Sequence, residues 1–140
     1  MATATKSAPL SLRITRREKS QLNSMAKLSG SNPGALAATF IREGVRRANF
    51  PAIDFRDGQP GRVAYLAGSR WPVWMIVQLA EECGGDIAKA ARHMRKPPAL
   101  VQMALAYAKT YRDEIAACLQ LHEQTTSETA KDRLPGVEVL

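Results

Sequence analysis

The chain has 140 residues, of which 45% are hydrophobic and 24% charged, and its formal net charge is +7 at pH 7, so it can bury one ordinary core or two small ones. Its two cysteines, Cys83 and Cys118, are too few for a disulfide framework and too far apart for a close metal-binding pair, which favours a reduced, cytoplasmic setting. No hydrophobic signal region follows Met1, and the most apolar stretch, Trp71 to Ala80, is too short to cross a bilayer, so we expect a soluble protein without a membrane partner.

The first predicted element is a short strand, Leu10–Ile14. Leu10, Leu12 and Ile14 alternate with Ser11 and Arg13, so the strand has one apolar and one polar face. A lone strand cannot satisfy its hydrogen-bonding groups within its own chain. The pattern therefore predicts a homodimer, or a higher even oligomer, in which two copies of this strand pair.

Two amphipathic helices follow the strand. Thr15, with Glu18 three residues later, predicts a capping box and a helix that runs to Leu28 and ends at Gly30. Asn32 before Pro33 predicts a capped start of the second helix. Four apolar residues lie on roughly one face of that second helix: Leu36, Phe40, Ile41 and Val45.

This strand-helix-helix order over about 38 residues resembles the ribbon-helix-helix (Arc/MetJ/CopG) family of DNA-binding dimers. The resemblance implies that two strands form an antiparallel ribbon in the major groove of operator DNA, with Ser11 and Arg13 facing base edges. A guanidinium can donate two hydrogen bonds to guanine, which makes Arg13 the leading candidate. Pro9 departs from the family's usual polar residue, because it cannot donate a hydrogen bond.

The resemblance also implies a phosphate contact at the start of the second helix. Free amides near Ser31, Asn32 and Gly34 would bind a DNA phosphate, as helix N-termini do. The residues themselves leave simpler interpretations open: Arg13 could be a solvated arginine on an edge strand, and Asn32 could be only a helix cap.

Positive charge is concentrated in the same region. The net charge is +7 over residues 1–50, +2 over 51–122 and −2 over 123–140. A basic segment that is doubled by dimerisation is typical of a protein that binds a polyanion. Any single cation could be an ordinary surface residue, but the group favours nucleic acid: Arg16, Arg17, Lys19, Arg42, Arg46 and Arg47.

A second unit is predicted after a linker. We divide the chain into a DNA-binding and dimerisation domain at 1–48, a linker at 49–61, a helix-turn-helix-like domain at 62–123 and a tail at 124–140. The linker is rich in turn residues, but its apolar residues indicate that it packs against something. A short hairpin is expected between Val63–Leu66 and Arg70–Val73.

Four helices are predicted after the hairpin. The first runs from Val73 to Cys83, the second is capped by Asp86 and ends at Met94, and the third opens at Pro98. The last begins at Arg112 or Asp113 and ends near His122. The predicted fold class is mainly α, with a ribbon-helix-helix domain of one strand and two helices, and a small helix-turn-helix domain with a short β-hairpin.

The second unit is similar to the small helix-turn-helix family known as domain of unknown function family 433. The resemblance covers about 60 residues and is carried by Gly61-Arg62, Leu66–Trp74, Asp86–Ala88, Val101, Ala104–Tyr107 and Tyr111–Ile115. Members of that family are commonly antitoxins that accompany PIN-like ribonuclease toxins. Gly84-Gly85 stands where the family often has acidic residues.

The third helix of this unit is a weak candidate for reading bases. Near its start it offers only Gln102, and it carries little basic charge. Arg92, Arg95 and Lys96 could contact phosphate or could be a solvated helix end. We therefore assign base reading to the ribbon and protein contacts to the second unit. Its apolar residues at helical spacing, Met103, Ala104 and Tyr107 among them, are expected first of all to be core.

The tail, 124–140, is polar and acidic and then apolar. The antitoxin resemblance implies that it folds on a toxin, where Lys131 or Arg133 would compete with a metal ion held by the toxin's carboxylates. A disordered end without a role is the alternative.

No pattern supports catalysis or a cofactor. His93 and His122 are not in metal-ligand spacing, and the acidic pairs Glu81-Glu82 and Asp113-Glu114 point to different helix faces. The sequence therefore predicts a non-enzymatic, dimeric type II antitoxin that represses its own operon and neutralises a PIN-like toxin. The alternative is a stand-alone ribbon-helix-helix regulator, and the charge asymmetry disfavours a pure protein adaptor.

Overall fold

A computed structural model of the protein describes residues 6–133, with side chains through residue 128. Over this range the chain is mainly helical, with six α-helices and one two-stranded antiparallel sheet. It divides into two compact units, residues 1–42 and 43–140. None of the helices in the described range combines the length and the hydrophobicity that crossing a membrane requires.

Helix α1, Arg16–Leu28, begins at the predicted capping box. The Thr15 hydroxyl accepts from the Glu18 amide at 3.1 Å, and Glu18 Oε2 accepts from the Thr15 amide at 3.1 Å. The helix is followed by Gly30 at φ 68°, a left-handed conformation that costs glycine little. Both predicted ends of this helix are confirmed.

Helix α2, Pro33–Asn49, also starts where the sequence predicts. Asn32 Oδ1 accepts from the Ala35 amide at 2.7 Å, which satisfies one of the free amides of the first turn. The boundary between the two units falls inside this helix, after Arg42. Residues 43–49 therefore belong to the second unit, and the predicted domain limit at residue 48 lies a few residues later than the structural one.

The predicted linker contains a strand. Strand β1, Ile53–Asp57, pairs antiparallel with β2, Arg62–Leu66, so that Ile53 lies opposite Leu66. The expected hairpin between 63–66 and 70–73 is wrong, because β2 pairs with β1 instead. Between the two predicted hairpin segments, the described residues form a single isolated bridge, from Tyr65 to Pro72. The pairing of β1 with β2 is favoured because it buries two apolar residues of the predicted linker, Ile53 and Phe55.

Four helices complete the second unit: α3 Val73–Glu82, α4 Ile87–Met94, α5 Pro98–Thr110 and α6 Arg112–Arg133. The Asp86 side chain caps α4 by accepting from the Lys89 amide at 3.1 Å, as predicted. The most deeply buried large side chains form one core between the sheet and α3 and α5: Ile53, Leu66, Val73, Ile76, Val101 and Tyr107.

Helix α6 is longer than the sequence predicts. The expected end near His122 is wrong, since the helix continues to Arg133. No glycine or proline interrupts the chain between Arg112 and Pro135, so the polar composition after His122 does not stop the helix. Much of the predicted tail is therefore helical.

Candidate nucleic-acid interface

The segment from Leu10 to Ile14 lies exposed in the first unit. Leu10 and Leu12 are 70% and 55% exposed, and Ser11 and Arg13 are exposed beside them. Among residues 6–133 it has no strand partner. The predicted strand requires a second copy of the chain, so it stays a prediction, as does the base-reading role of Ser11 and Arg13.

An apolar groove lies next to this segment. It has a volume of about 340 Å³ and lies between the Leu12–Ile14 segment, α1 and α2. Among the described residues of this unit, 6–42, Ala26 is the only buried one. Phe40 and Ile41 are 43% and 42% exposed, although they lie on the apolar face of α2. The apolar residues that line the groove are Leu12, Ile14, Leu22, Met25, Ala37, Phe40 and Ile41.

The predicted phosphate-binding residues lie together at the start of α2. The side chain of Asn32 is engaged as the cap of α2, and the Ser31 hydroxyl donates to the Asn32 carbonyl at 3.3 Å. A Cβ at Gly34 would lie 3.4 Å from Asn32 Oδ1, so the turn is compact. The cap is confirmed, and the phosphate contact of Ser31, Asn32 and Gly34 stays a prediction.

The cations of the predicted basic group fall into two classes. Arg16, Arg17, Lys19 and Arg42 are exposed, and none of them forms a salt bridge within the described residues. Arg46 and Arg47 differ, because both bind carboxylates of the second unit. Their inclusion in a free basic surface is therefore corrected by the structure.

Arg46 is held by a partly buried polar cluster. Its Nη1 donates to Glu114 Oε1 at 2.7 Å and to the Tyr107 hydroxyl at 2.9 Å, and that hydroxyl donates to Glu114 Oε2 at 2.6 Å. The Arg46 guanidinium also lies 4.0 Å from the centroid of the Tyr111 ring. Burial, followed by the hydrogen bond to Glu114, raises the pKa of Tyr107 well above its ordinary value. The hydroxyl therefore stays protonated as a donor.

A second polar cluster surrounds Glu43, the one buried charged residue among those described. Its carboxylate accepts two hydrogen bonds from Arg62, which also binds Asp57 at 3.0 Å. Arg47 lies between Glu43 and Asp54, at 3.5 Å and 3.0 Å. The hydrogen bonds that Arg62 donates to Glu43 raise the pKa of Arg62 above its ordinary value. Helical periodicity gave no sign of this cluster, because Asp54, Asp57 and Arg62 lie outside the helix that carries Glu43 and Arg47.

Lys131 and Arg133, the predicted toxin-binding residues, lie on the last turns of α6. Their side chains and residues 134–140 are outside the described part of the chain. Their toxin-binding role stays a prediction.

No group of three His, Cys, Asp or Glu side chains within the described part of the chain is arranged to hold a metal ion. Comparison of the chain with protein-family models, with curated proteins and with solved structures finds no match.

Proposed function

We propose that this protein is a dimeric DNA-binding repressor whose first unit forms a ribbon-helix-helix arrangement with that of a second copy. The observation that carries this proposal is the exposed apolar groove beside Leu10–Ile14. A second copy would supply both a hydrogen-bonding partner for the segment and an apolar cover for the groove. Burying one large apolar side chain contributes about 1.5–3 kcal/mol, so several together would stabilise a dimer.

Within this proposal the residues divide into two roles. Ser11 and Arg13 lie on the polar side of the alternating segment and read base edges. Ser31, Asn32 and Gly34 contact phosphate at the start of α2. The exposed cations of α1, Arg16, Arg17 and Lys19, add electrostatic attraction to the duplex.

The proposal extends to an antitoxin that neutralises a PIN-like ribonuclease through its second unit. The support is the sequence resemblance of that unit, together with a surface groove of about 350 Å³ on α3, α5 and α6. Lys109 and Arg112, both cations, are the charged residues that line it, and carboxylates on a metal-binding nuclease would complement them. A regulator without a toxin partner is the alternative, and a PIN-like reading frame beside the gene distinguishes the two.

The DNA-binding part is tested with the duplex upstream of the gene and a shuffled duplex of the same composition. Arg13→Ala should remove the preference between them, at a cost of about 1–3 kcal/mol for a bidentate base contact. Arg42→Ala, a matched control, should at most weaken binding to both duplexes alike. If Arg13→Ala keeps the full preference, base reading lies elsewhere.

The antitoxin part is tested with the product of the neighbouring gene in an RNA-cleavage assay. The Lys131→Ala, Arg133→Ala double variant should still form the complex but should inhibit cleavage less well. Full inhibition by this variant would reject the role of these two cations. Absence of any complex with the wild-type chain would favour the stand-alone regulator.

A further inference from the structure

A second concentration of positive charge lies in the second unit. Between Asp86 and Asp113 the chain contains no acidic residue, and its cations are Lys89, Arg92, Arg95, Lys96, Lys109 and Arg112. None of these six side chains takes part in a salt bridge within the described residues. This stretch differs in that respect from Arg46, Arg47 and Arg62, whose charges are neutralised by neighbouring carboxylates.

Four of these cations cluster on and just after α4. Lys89 and Arg92 are spaced three residues apart on the exposed side of the helix, while Ala90, Ala91 and Met94 face the core. Arg95, which is exposed, and Lys96, which is half-buried, follow directly in the turn that leads to α5. We call Lys89, Arg92, Arg95 and Lys96 the cationic face.

The turn holds one of these cations at a conformational cost. Arg95 has φ 57° and ψ 45°, the left-handed region that glycine adopts more easily than any residue with a Cβ. Its amide hydrogen bonds to the carbonyl groups at the end of α4, which is the ordinary role of a glycine after a helix. The chain thus places a charge where a neutral glycine would fold at lower cost.

Helix α5 presents small side chains next to this turn. Ala99, Gln102 and Ala106 lie on one exposed stripe of α5, while Val101, Ala104 and Tyr107 are buried. In DNA-binding helix-turn-helix motifs the first helix crosses the DNA backbone and the second enters the major groove. The order and the turn length of α4 and α5 match that arrangement, and small residues on the exposed stripe allow a close approach to a duplex.

We infer that the cationic face binds the phosphate backbone of double-stranded DNA, as a second DNA contact in the same chain. This goes beyond the proposed function, whose DNA contact lies in residues 1–42. A duplex is favoured over a single strand, because stacking of unpaired bases needs exposed aromatic rings. Of the aromatic rings between Asp86 and Asp113, Tyr107 is buried and Tyr111 is half-buried, so the imidazole of His93 is the single exposed ring in this stretch and cannot by itself stack successive bases.

The test uses the full chain and a fluorescein-labelled DNA duplex of mixed sequence, titrated between roughly 50 and 200 mM salt. The Arg92→Gln, Lys96→Gln double variant should bind more weakly, and the slope of log Kd against log salt should be shallower by about two, since each phosphate contact contributes about 0.9. Ala88→Lys, at an exposed position on α4, should make the slope steeper by about one.

Arg95→Gly provides an independent readout. It should raise the melting temperature, because glycine adopts the left-handed conformation more easily, while it makes the salt slope shallower by about one. Arg70→Gln is the matched control, since Arg70 is an exposed cation of the same unit outside the cationic face. It should leave the slope unchanged.

The inference is overturned if the double variant keeps the parent's slope and affinity, or if the cationic face binds mixed-sequence single-stranded RNA as tightly as the duplex. The proposed function fails separately. If substitution of Arg13 and Arg16 by alanine leaves DNA affinity unchanged while the Arg92, Lys96 variant lowers it, the first unit does not bind DNA and the second does.

Discussion

The guanidinium of Arg62 donates to both carboxylate oxygens of Glu43, through Nε at 2.8 Å and Nη2 at 2.7 Å. This pair joins the end of α2 to β2 within the second unit. Glu43→Ala should lower the free energy of unfolding by about 1–3 kcal/mol, because it removes the main acceptor of Arg62 while Arg62 can still contact water. Urea unfolding measures the loss. Arg47→Ala removes exposed hydrogen bonds to Asp54 and a longer contact with Glu43 at 3.5 Å, and it should cost less than about 1 kcal/mol. Equal losses in the two variants would contradict this ranking.

The hydroxyl of Tyr107 contributes separately from its ring. Tyr107→Phe keeps the ring in the core but leaves Arg46 and Glu114 without their shared partner. We expect a loss of about 1–2 kcal/mol in thermal or urea unfolding. Tyr111→Phe is the control, since its hydroxyl makes no hydrogen bond among the described residues, and its effect should stay within about 0.5 kcal/mol. If Tyr107→Phe leaves the free energy of unfolding unchanged, water replaces the hydroxyl without cost.

Stability should also fall at alkaline pH because of Tyr107. Its pKa in the folded protein is raised above the ordinary value by burial and by Glu114. The folded state therefore holds this proton more tightly than the unfolded state does. The associated stability is complete below the unfolded pKa of about 10 and declines as pH rises through it, by up to about 1.4 kcal/mol per pH unit. Unfolding measured at several alkaline pH values should show a smaller decline for Tyr107→Phe than for the parent, and parallel curves would contradict the assignment.

The two polar clusters determine where the chain can be divided. A polypeptide of residues 43–140 retains Glu43, Arg46 and Phe50, whereas one of residues 52–140 loses all three. Without them Arg62 and Glu114 lose partners, and the core loses the edge-on contact of Phe50 with Tyr107 at 5.3 Å. The longer polypeptide should be more stable by on the order of 3 kcal/mol in urea unfolding. Equal stability of the two polypeptides would mean that residues 43–51 contribute nothing to the stability of the second unit.

Phe40 is expected to lie at the proposed dimer interface. It lines the groove of the first unit, so Phe40→Asp should place a charge in an apolar interface and produce monomers at micromolar concentration. Leu28 is the matched control, because it is 90% exposed and does not line the groove. Leu28→Asp should leave the molar mass unchanged in sedimentation velocity. A dimer that persists in Phe40→Asp would place the interface elsewhere.

Helix starts and the charge distribution could be predicted from the sequence, because the interactions that determine them are local. Thr15 with Glu18, Asn32 with Ala35 and Asp86 with Lys89 are each three residues apart, so the cap and its acceptor or donor appear together in a short stretch. The apolar faces of α1 and α2 could also be predicted from the sequence, since helical periodicity is a local property. The candidate base-reading residues, Ser11 and Arg13, rest on a different local pattern, the alternation of apolar and polar residues in the Leu10–Ile14 segment.

Only the tertiary structure decided which strands pair and which cations are free. Ile53 and Phe55 form a strand because the sheet buries them against Tyr107, some fifty residues later in the chain. Arg46 finds Glu114 across 68 positions, and Arg62 finds Glu43 across 19. A periodic pattern treats such arginines as ordinary surface charges, because burial and the partner's position arise only when distant segments pack together. The same packing leaves Arg92 and Lys96 without carboxylate partners among the described residues, and with their charge available to a ligand.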